Sequence, residues 1–375
     1  MTYPRPVIQW REGTVVEVLP GWPGVEAVSV EVPDLGTVRA LAYPDVVGTP
    51  VVGDRVLLNV TALERGLGTG GYAVVVAVPD RPAAWPDRAD DDAGHLVKAR
   101  YTPLQTMVLG ADDPEGAHHA RLQDADDVEG MPVVAADLHS ALPAVLAGIR
   151  MVRPTARVVY VMTDGGALPA AFSRTCAELR VAGWLAATVT AGQAYGGDLE
   201  AVTVHSALLA ARLVVGADVT VVAQGPGNLG TGTRWGFSGV SAGEALNAAA
   251  VLGGLPVAAL RVSEADPRER HRGLSHHSAT AYGRVLAHPA DVPVPTGATG
   301  RASTDECLVA VARQVEALVS SAPHLRPLPV PVDGLLEALS QTPVPLRTMG
   351  RGLEDDAAGF LAVAAAGVHA ATALG

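Results

Sequence analysis

The chain has 375 residues, a formal net charge of -12 and a sequence pI near 5.3. That balance disfavours nucleic-acid backbones and anionic membrane surfaces as partners, and an aromatic share of 4% leaves few rings for stacking on bases. Hydrophobic residues at 49% against 18% charged ones describe a folded chain, long enough for two or three domains.

The first eighty residues read as strands. Val28, Val30 and Val32 alternate with Ser29 and Glu31, the period of a strand with one buried face. Further β-rich runs cover 15–18, 38–43, 55–60 and 72–78, separated by turn residues such as Pro20, Gly21, Pro33, Asp34, Gly53 and Asp54. This spacing predicts a small OB- or SH3-like barrel over 1–79. Residues 80–130 read as a linker and docking segment: 79–92 is rich in Pro, Asp and Arg, 111–130 is polar and acid-rich, and 95–105 between them is expected to dock on the second domain.

From Met131 strand, loop and helix alternate. Short apolar runs at 132–136, 158–162, 185–189, 219–223 and 256–262 lack alternation, as strands buried on both faces do. Helices are predicted over 142–152, 169–181, 199–214, 241–252 and 304–319, with another after Glu354. The pattern over 131–375 is that of a doubly wound α/β domain with a mostly parallel sheet. The Ala- and Gly-rich run 357–374 approaches membrane-spanning length, but it carries His369 and lacks aromatic and basic flanks, so a packed helix is expected. No apolar signal core precedes Arg5, Arg11 and Glu12. Cys176 and Cys307 are too few for a disulfide framework, and a reduced, cytoplasmic protein is the expectation. Lys98 is the only lysine, which removes a Lys-dependent P-loop and leaves one candidate for Schiff-base chemistry.

Ligands of such sheets bind beyond the carboxyl ends of the strands. The polar residues of this chain collect there: Asp137 and His139, Asp164, Gln193 to Glu200, the glycine loop 224–233, and 263–272. A shared cleft is expected. Gly225, Gly227 and Gly230 fit G-x-G-x-x-G, but no helix can start inside the motif, so a dinucleotide fingerprint is a poor reading. Two readings of the loop stay open: backbone N–H groups of Gly227, Gly230 and Gly232, with Thr233, cradling an anion, or a wide turn that needs positive φ. Ser241 sits in a G-x-S-x-G string without the preceding strand of a nucleophile elbow. With Glu244 it reads instead as a capping box.

Arg268, Arg270, His271 and Arg272 form a basic knot suited to a carboxylate or phosphate, or paired with neighbouring acids. His276 is the acid/base candidate, with Asp164 or Asp198 orienting it or the substrate; a capped helix start at Ser275 is the plainer alternative. His139 is assigned to ligand binding. No metal centre is expected: Asp137, His139 and Asp164 are suitable types, but no His-x-x-x-His or Cys spacing joins them. No cofactor is assigned, and a homo-oligomer is left open. The expected function is a hydrolase or group transferase acting on a small anionic metabolite, with phosphorylation of that metabolite left open. The alternative is a non-catalytic metabolite-binding module whose barrel engages a partner protein.

The stretches 64–71, 95–105, 190–200, 225–239 and 266–277 resemble a bacterial family catalogued as domain of unknown function 3866. The resemblance covers nearly the whole chain. It implies a soluble bacterial protein and carries no activity, cofactor or catalytic residue across.

Overall fold

Alternating apolar residues in the first unit, Met1–Asp92, become five strands: β1 (Trp10–Trp22), β2 (Val25–Val32), β3 (Gly36–Ala42), β4 (Arg55–Asn59) and β5 (Ala73–Ala77). They close into a barrel in the order β1-β2-β3-β5-β4, sealed by antiparallel pairing of β1 with β4. Val28, Val30 and Val32 point inward with Val56, Leu58 and Val75, while Glu31 stays in water. Gly24, at φ +83°, lets the chain reverse between β1 and β2 in a conformation that a side chain would oppose. The computed structural model describes residues 8–82 and 94–375.

The second unit, Ala93–Gly375, takes in the stretch expected as a docking segment. A hairpin of β6 (Leu96–Lys98) and β7 (Thr106–Val108) lays Lys98 into the interior, 1% exposed. Its ammonium donates to the carbonyls of Gly192 (2.8 Å), Ala194 (3.0 Å) and Ala201 (3.1 Å) and lies 3.3 Å from Glu200. Burial pulls the ammonium below its ordinary value and pushes the Glu200 carboxyl up, their attraction opposing both shifts. The single lysine is thus a clasp between the hairpin and the sheet, enclosed by carbonyls.

The remaining strands build an eight-stranded parallel sheet. In chain order they are β8 (Pro132–Ala135), β9 (Val158–Thr163), β10 (Ala187–Ala191), β11 (Leu199–Ala201), β12 (Val219–Gln224), β13 (Leu255–Ala258), β16 (Ala290–Thr296) and β17 (Leu325–Pro331). Between β13 and β16 a short antiparallel pair, β14 (Val262–Ser263) and β15 (Gly273–Leu274), folds the intervening loop back on itself. The sheet order is β11-β10-β9-β12-β8-β13-β16-β17, so the chain leaves β8 toward one edge, returns through β12, and continues from β13 to the other. That reversal makes the crevice around β8 the natural ligand position.

Several elements depart from the expectation. Residues 199–201 are strand, and the helix begins only at Val204, capped by Thr203 and Ser206. Asp198 therefore precedes a strand, and it pairs with Arg180. The run 256–262 is two strands, not one. Ser241 forms no capping box: a 3₁₀ turn, Ser238–Val240, runs straight into the helix Ser241–Val251, and the Ser241 hydroxyl donates to the Ser238 carbonyl.

The helix Leu142–Val152 lies where the periodicity put it, and the C-terminal helix Ala357–Thr372 crosses it on a buried face. Among the described residues no helix is long and apolar enough to cross a membrane.

Candidate functional site

Three neighbouring strands, β12, β8 and β13, carry their following loops to one cavity of about 380 Å³. Leu138, His139 and Ser140 come from β8, Gln224 to Gly232 from β12, and Arg261 to His277 from the β14–β15 region. The loop after β9 does not line the cavity but supports it, since Ala167 donates its N–H to the Pro226 carbonyl at 2.7 Å. The loop after β10 lies elsewhere, over Lys98.

Of the residues singled out from sequence, His139, Gly227, Gly230, Gly232, Arg268, Arg270 and His276 line this cavity; Thr233, Arg272, Asp164 and Asp198 do not. Asp164 accepts from the backbone N–H of Gln193 at 2.9 Å. Asp198 is occupied by Arg180 (2.8 Å) and by the Thr188 N–H (2.7 Å). Thr233 accepts from the Gly236 N–H and Arg272 is exposed.

In the glycine loop, Gly227 (φ +99°) and Gly232 (φ +80°) take the left-handed backbone that favours glycine. Among the described residues no protein acceptor engages the N–H groups of Gly227, Gly230 or Gly232. The Arg270 guanidinium lies alongside Gly232. Arg268 and Arg270, equivalent in sequence, differ here: Arg268 grips Asp266 with two parallel bonds of 2.9 and 2.8 Å, whereas Arg270 has no ion pair among the described residues.

His139 sits at the cavity floor, its Nδ1 2.9 Å from the Tyr160 hydroxyl and its Nε2 2.7 Å from Ser173 Oγ. Tyr160 donates its one proton toward the carbonyls of Ala223 and Gln224, so Nδ1 of His139 is the donor and Nε2 accepts from Ser173. Burial lowers this imidazole to about 4, keeping it neutral near pH 7.

The opposite wall gathers His271, His276 and His277. Ser275 caps the helix His276–Thr280 by accepting from the His277 N–H, and the same hydroxyl lies 2.7 Å from His271 Nδ1. His277 is stacked face to face on Phe237 at 3.7 Å between centroids, and its Nδ1 lies 3.0 Å from Asp137 Oδ2. Arg261 Nη1 reaches the same oxygen at 3.1 Å. Burial alone would raise the Asp137 carboxyl, but Arg261 and the His277 bond outweigh it and hold it below the ordinary value. Burial also lowers His276 to about 4 and His271 to about 3, with the neighbouring rings and arginines adding to both shifts.

The chain matches a family described as protein of unknown function, DUF3866, over residues 39–367. It belongs to the DUF3866 family. No curated protein and no solved structure matches it. The matched span includes every cavity-lining residue of this DUF3866 chain.

Sequence reasoning gave Arg261 and His277 no role of their own, placed His271 only within the basic knot, and weighed Asp137 only as a strand-end residue of a metal-ligating type. The signal for Asp137 was its place just after a buried strand. Arg261 was hidden inside a run that read as one strand, and the β14–β15 hairpin that returns His271 to His276 leaves no sequence periodicity.

Proposed function

We propose that the DUF3866 cleft binds a small anionic metabolite, a phosphorylated one being the best fit, and acts on it as a hydrolase or group transferase. The observation that carries this reading is the pairing of an uncommitted guanidinium, Arg270, with the free N–H groups of Gly227, Gly230 and Gly232 in one cavity of an acidic protein. Planar guanidinium forks and unpaired backbone donors both suit tetrahedral oxyanions. A cavity of about 380 Å³ is matched to a small molecule and not to a polymer. The position at the strand-order reversal adds to this support. Asp137 replaces Asp164 and Asp198 as the carboxylate beside the histidines, since it alone of the three touches one of them. Two free cysteines agree with a reduced, cytoplasmic setting.

The test is calorimetric titration and thermal shift of the full chain with inorganic phosphate, phosphosugars and nucleotides, followed by turnover assays on every binder. Saturable binding that Arg270→Ala weakens by about tenfold or more is the expected result, given the usual worth of a charged hydrogen bond. Binding without product would replace the enzyme by a metabolite sensor. No binding by any phosphate compound, or equal binding by Arg270→Ala, would remove the anion reading altogether.

A further inference from the structure

His271, His276 and His277 each offer one ring nitrogen, and the three atoms lie within 4.8 Å of one another. His276 Nε2 is buried with no hydrogen-bond partner among the described residues. The other two rings have one nitrogen committed. Asp137 Oδ2 (3.0 Å) and Arg261 Nη1 (2.8 Å) both lie against His277 Nδ1, so that nitrogen is committed, and Nε2 keeps its lone pair when Nδ1 directs its proton at Asp137. Ser275 Oγ lies 2.7 Å from His271 Nδ1 and occupies that nitrogen, so Nε2 is the one left for a ligand. Carboxylate or hydroxyl support behind a histidine is the arrangement that orients an imidazole toward a metal.

We propose that His271, His276 and His277 form a binding site for one divalent transition metal of the zinc class, with its fourth position open to the cleft. Three neutral imidazoles suit zinc, cobalt or nickel and suit magnesium or calcium poorly, because those harder ions take oxygen ligands. A tetrahedral site with metal–nitrogen bonds near 2.0–2.1 Å spaces its ligands about 3.3 Å apart. Closing from within 4.8 Å to that spacing asks the rings to shift on binding. Phe237 holds the plane of His277, and Asp137 offsets the positive charge that Arg261 brings near.

All three rings line the cavity that also holds Arg270, so the open position faces the same space as the proposed anion site. The metal site nevertheless rests on the rings alone and stands or falls independently of the anion reading. Adjacent residues in a helix ordinarily diverge by about 100° and do not share a ligand. Here they occupy the first turn, with ring centroids 4.5 Å apart, and His271 closes the set from the preceding loop.

The full chain, stripped with a chelator and dialysed, is titrated with zinc and with cobalt(II) near neutral pH. Bound metal is counted by elemental analysis, and coordination is read from the visible absorption of cobalt. One tightly held metal per chain with a low-symmetry, nitrogen-rich cobalt spectrum is expected. His276→Ala, the least buried of the three, and Asp137→Asn are each expected to weaken binding by about tenfold or more. His95, Asp113 and Glu115 form a second, more exposed group of ligand types, and His95→Ala is expected to change neither the spectrum nor the tight stoichiometry.

Absence of tight metal binding by the wild-type chain overturns the proposal, with no variant needed. So does a cobalt spectrum that survives His276→Ala and vanishes with His95→Ala. Metal uptake without any phosphate binding would keep this site and remove only the anion reading.

Discussion

Asp266 decides which arginine of the basic knot is available. It is 1% exposed, receives both the side chain and the backbone N–H of Arg268, and faces Arg351 at 3.3 Å. Bonds from Arg268 hold its carboxyl well below the ordinary value. A carboxylate with a depressed folded value stabilises the fold above its unfolded value of about 3.9, and that stabilisation fades as pH falls through the folded value. Asp266→Asn is expected to cost about 2 kcal/mol at pH 7, less than a fully buried pair because Arg268 stays partly in water. Urea melts should show that difference intact at pH 5 and shrinking at progressively lower pH below 4. A difference that grows on acidification would contradict the role given to Asp266. Nothing in the string Arg268, Glu269, Arg270, His271, Arg272 distinguishes a committed arginine from a free one. The distinction comes from Asp266 and from Arg351, which is remote in sequence, so the knot was legible as a group and not residue by residue.

At the scale of elements, the crossing of Leu142–Val152 with Ala357–Thr372 shows why the last helix is built from small residues. A Cβ on Gly148 would run into the Ala364 carbonyl, and one on Gly367 into that of Val145. Two competing effects can be weighed. Gly→Ala within a helix ordinarily gains about 1 kcal/mol in propensity, whereas forcing packed backbones apart costs typically 1–3 kcal/mol or more. Contact with main-chain atoms, which cannot rotate away, puts Gly367→Ala at the upper end, and a net loss of about 2 kcal/mol is expected in thermal or urea unfolding. An unchanged or raised melting temperature would show that the helices can separate freely.

The same scale explains which elements the sequence revealed. The helix 142–152 and the buried strands β8, β9 and β12 announced themselves by periodicity or by unbroken apolar runs. β16 and β17 did not, because Pro293, Pro295, Pro327, Pro329 and Pro331 read as breaks. In β17 the prolines recur at every second residue, so their missing N–H groups fall on one side. An edge strand has one side without a partner, and β17 is at the edge. Residues 199–201 failed for the opposite reason: a three-residue strand is too short to interrupt the apolar helical pattern that continues to Val214.

For the molecule as a whole, every residue lining the cavity belongs to the second unit, and each unit has its own apolar core. The alternation of strand and helix was enough to place a ligand crevice at the carboxyl ends of the strands. It could not say which loops meet there, because that depends on the sheet order, in which β12 inserts between β9 and β8. Three loops flanking β8 converge, and the loop after β10 is carried off to clasp Lys98. Lys98 binds carbonyls of the second unit from a hairpin that begins only at Leu96, so a chain shortened to 94–375 keeps this clasp and both faces of the sheet. Such a fragment is therefore expected to unfold cooperatively, to retain the circular dichroism of an α/β protein, and to keep the phosphate and metal affinities of the full chain within about threefold, less than 1 kcal/mol. A folded fragment that has lost both affinities would show that the barrel contributes to the site. Failure of 94–375 to fold, with 8–82 present only as part of the intact chain, would refute the independence of the two cores.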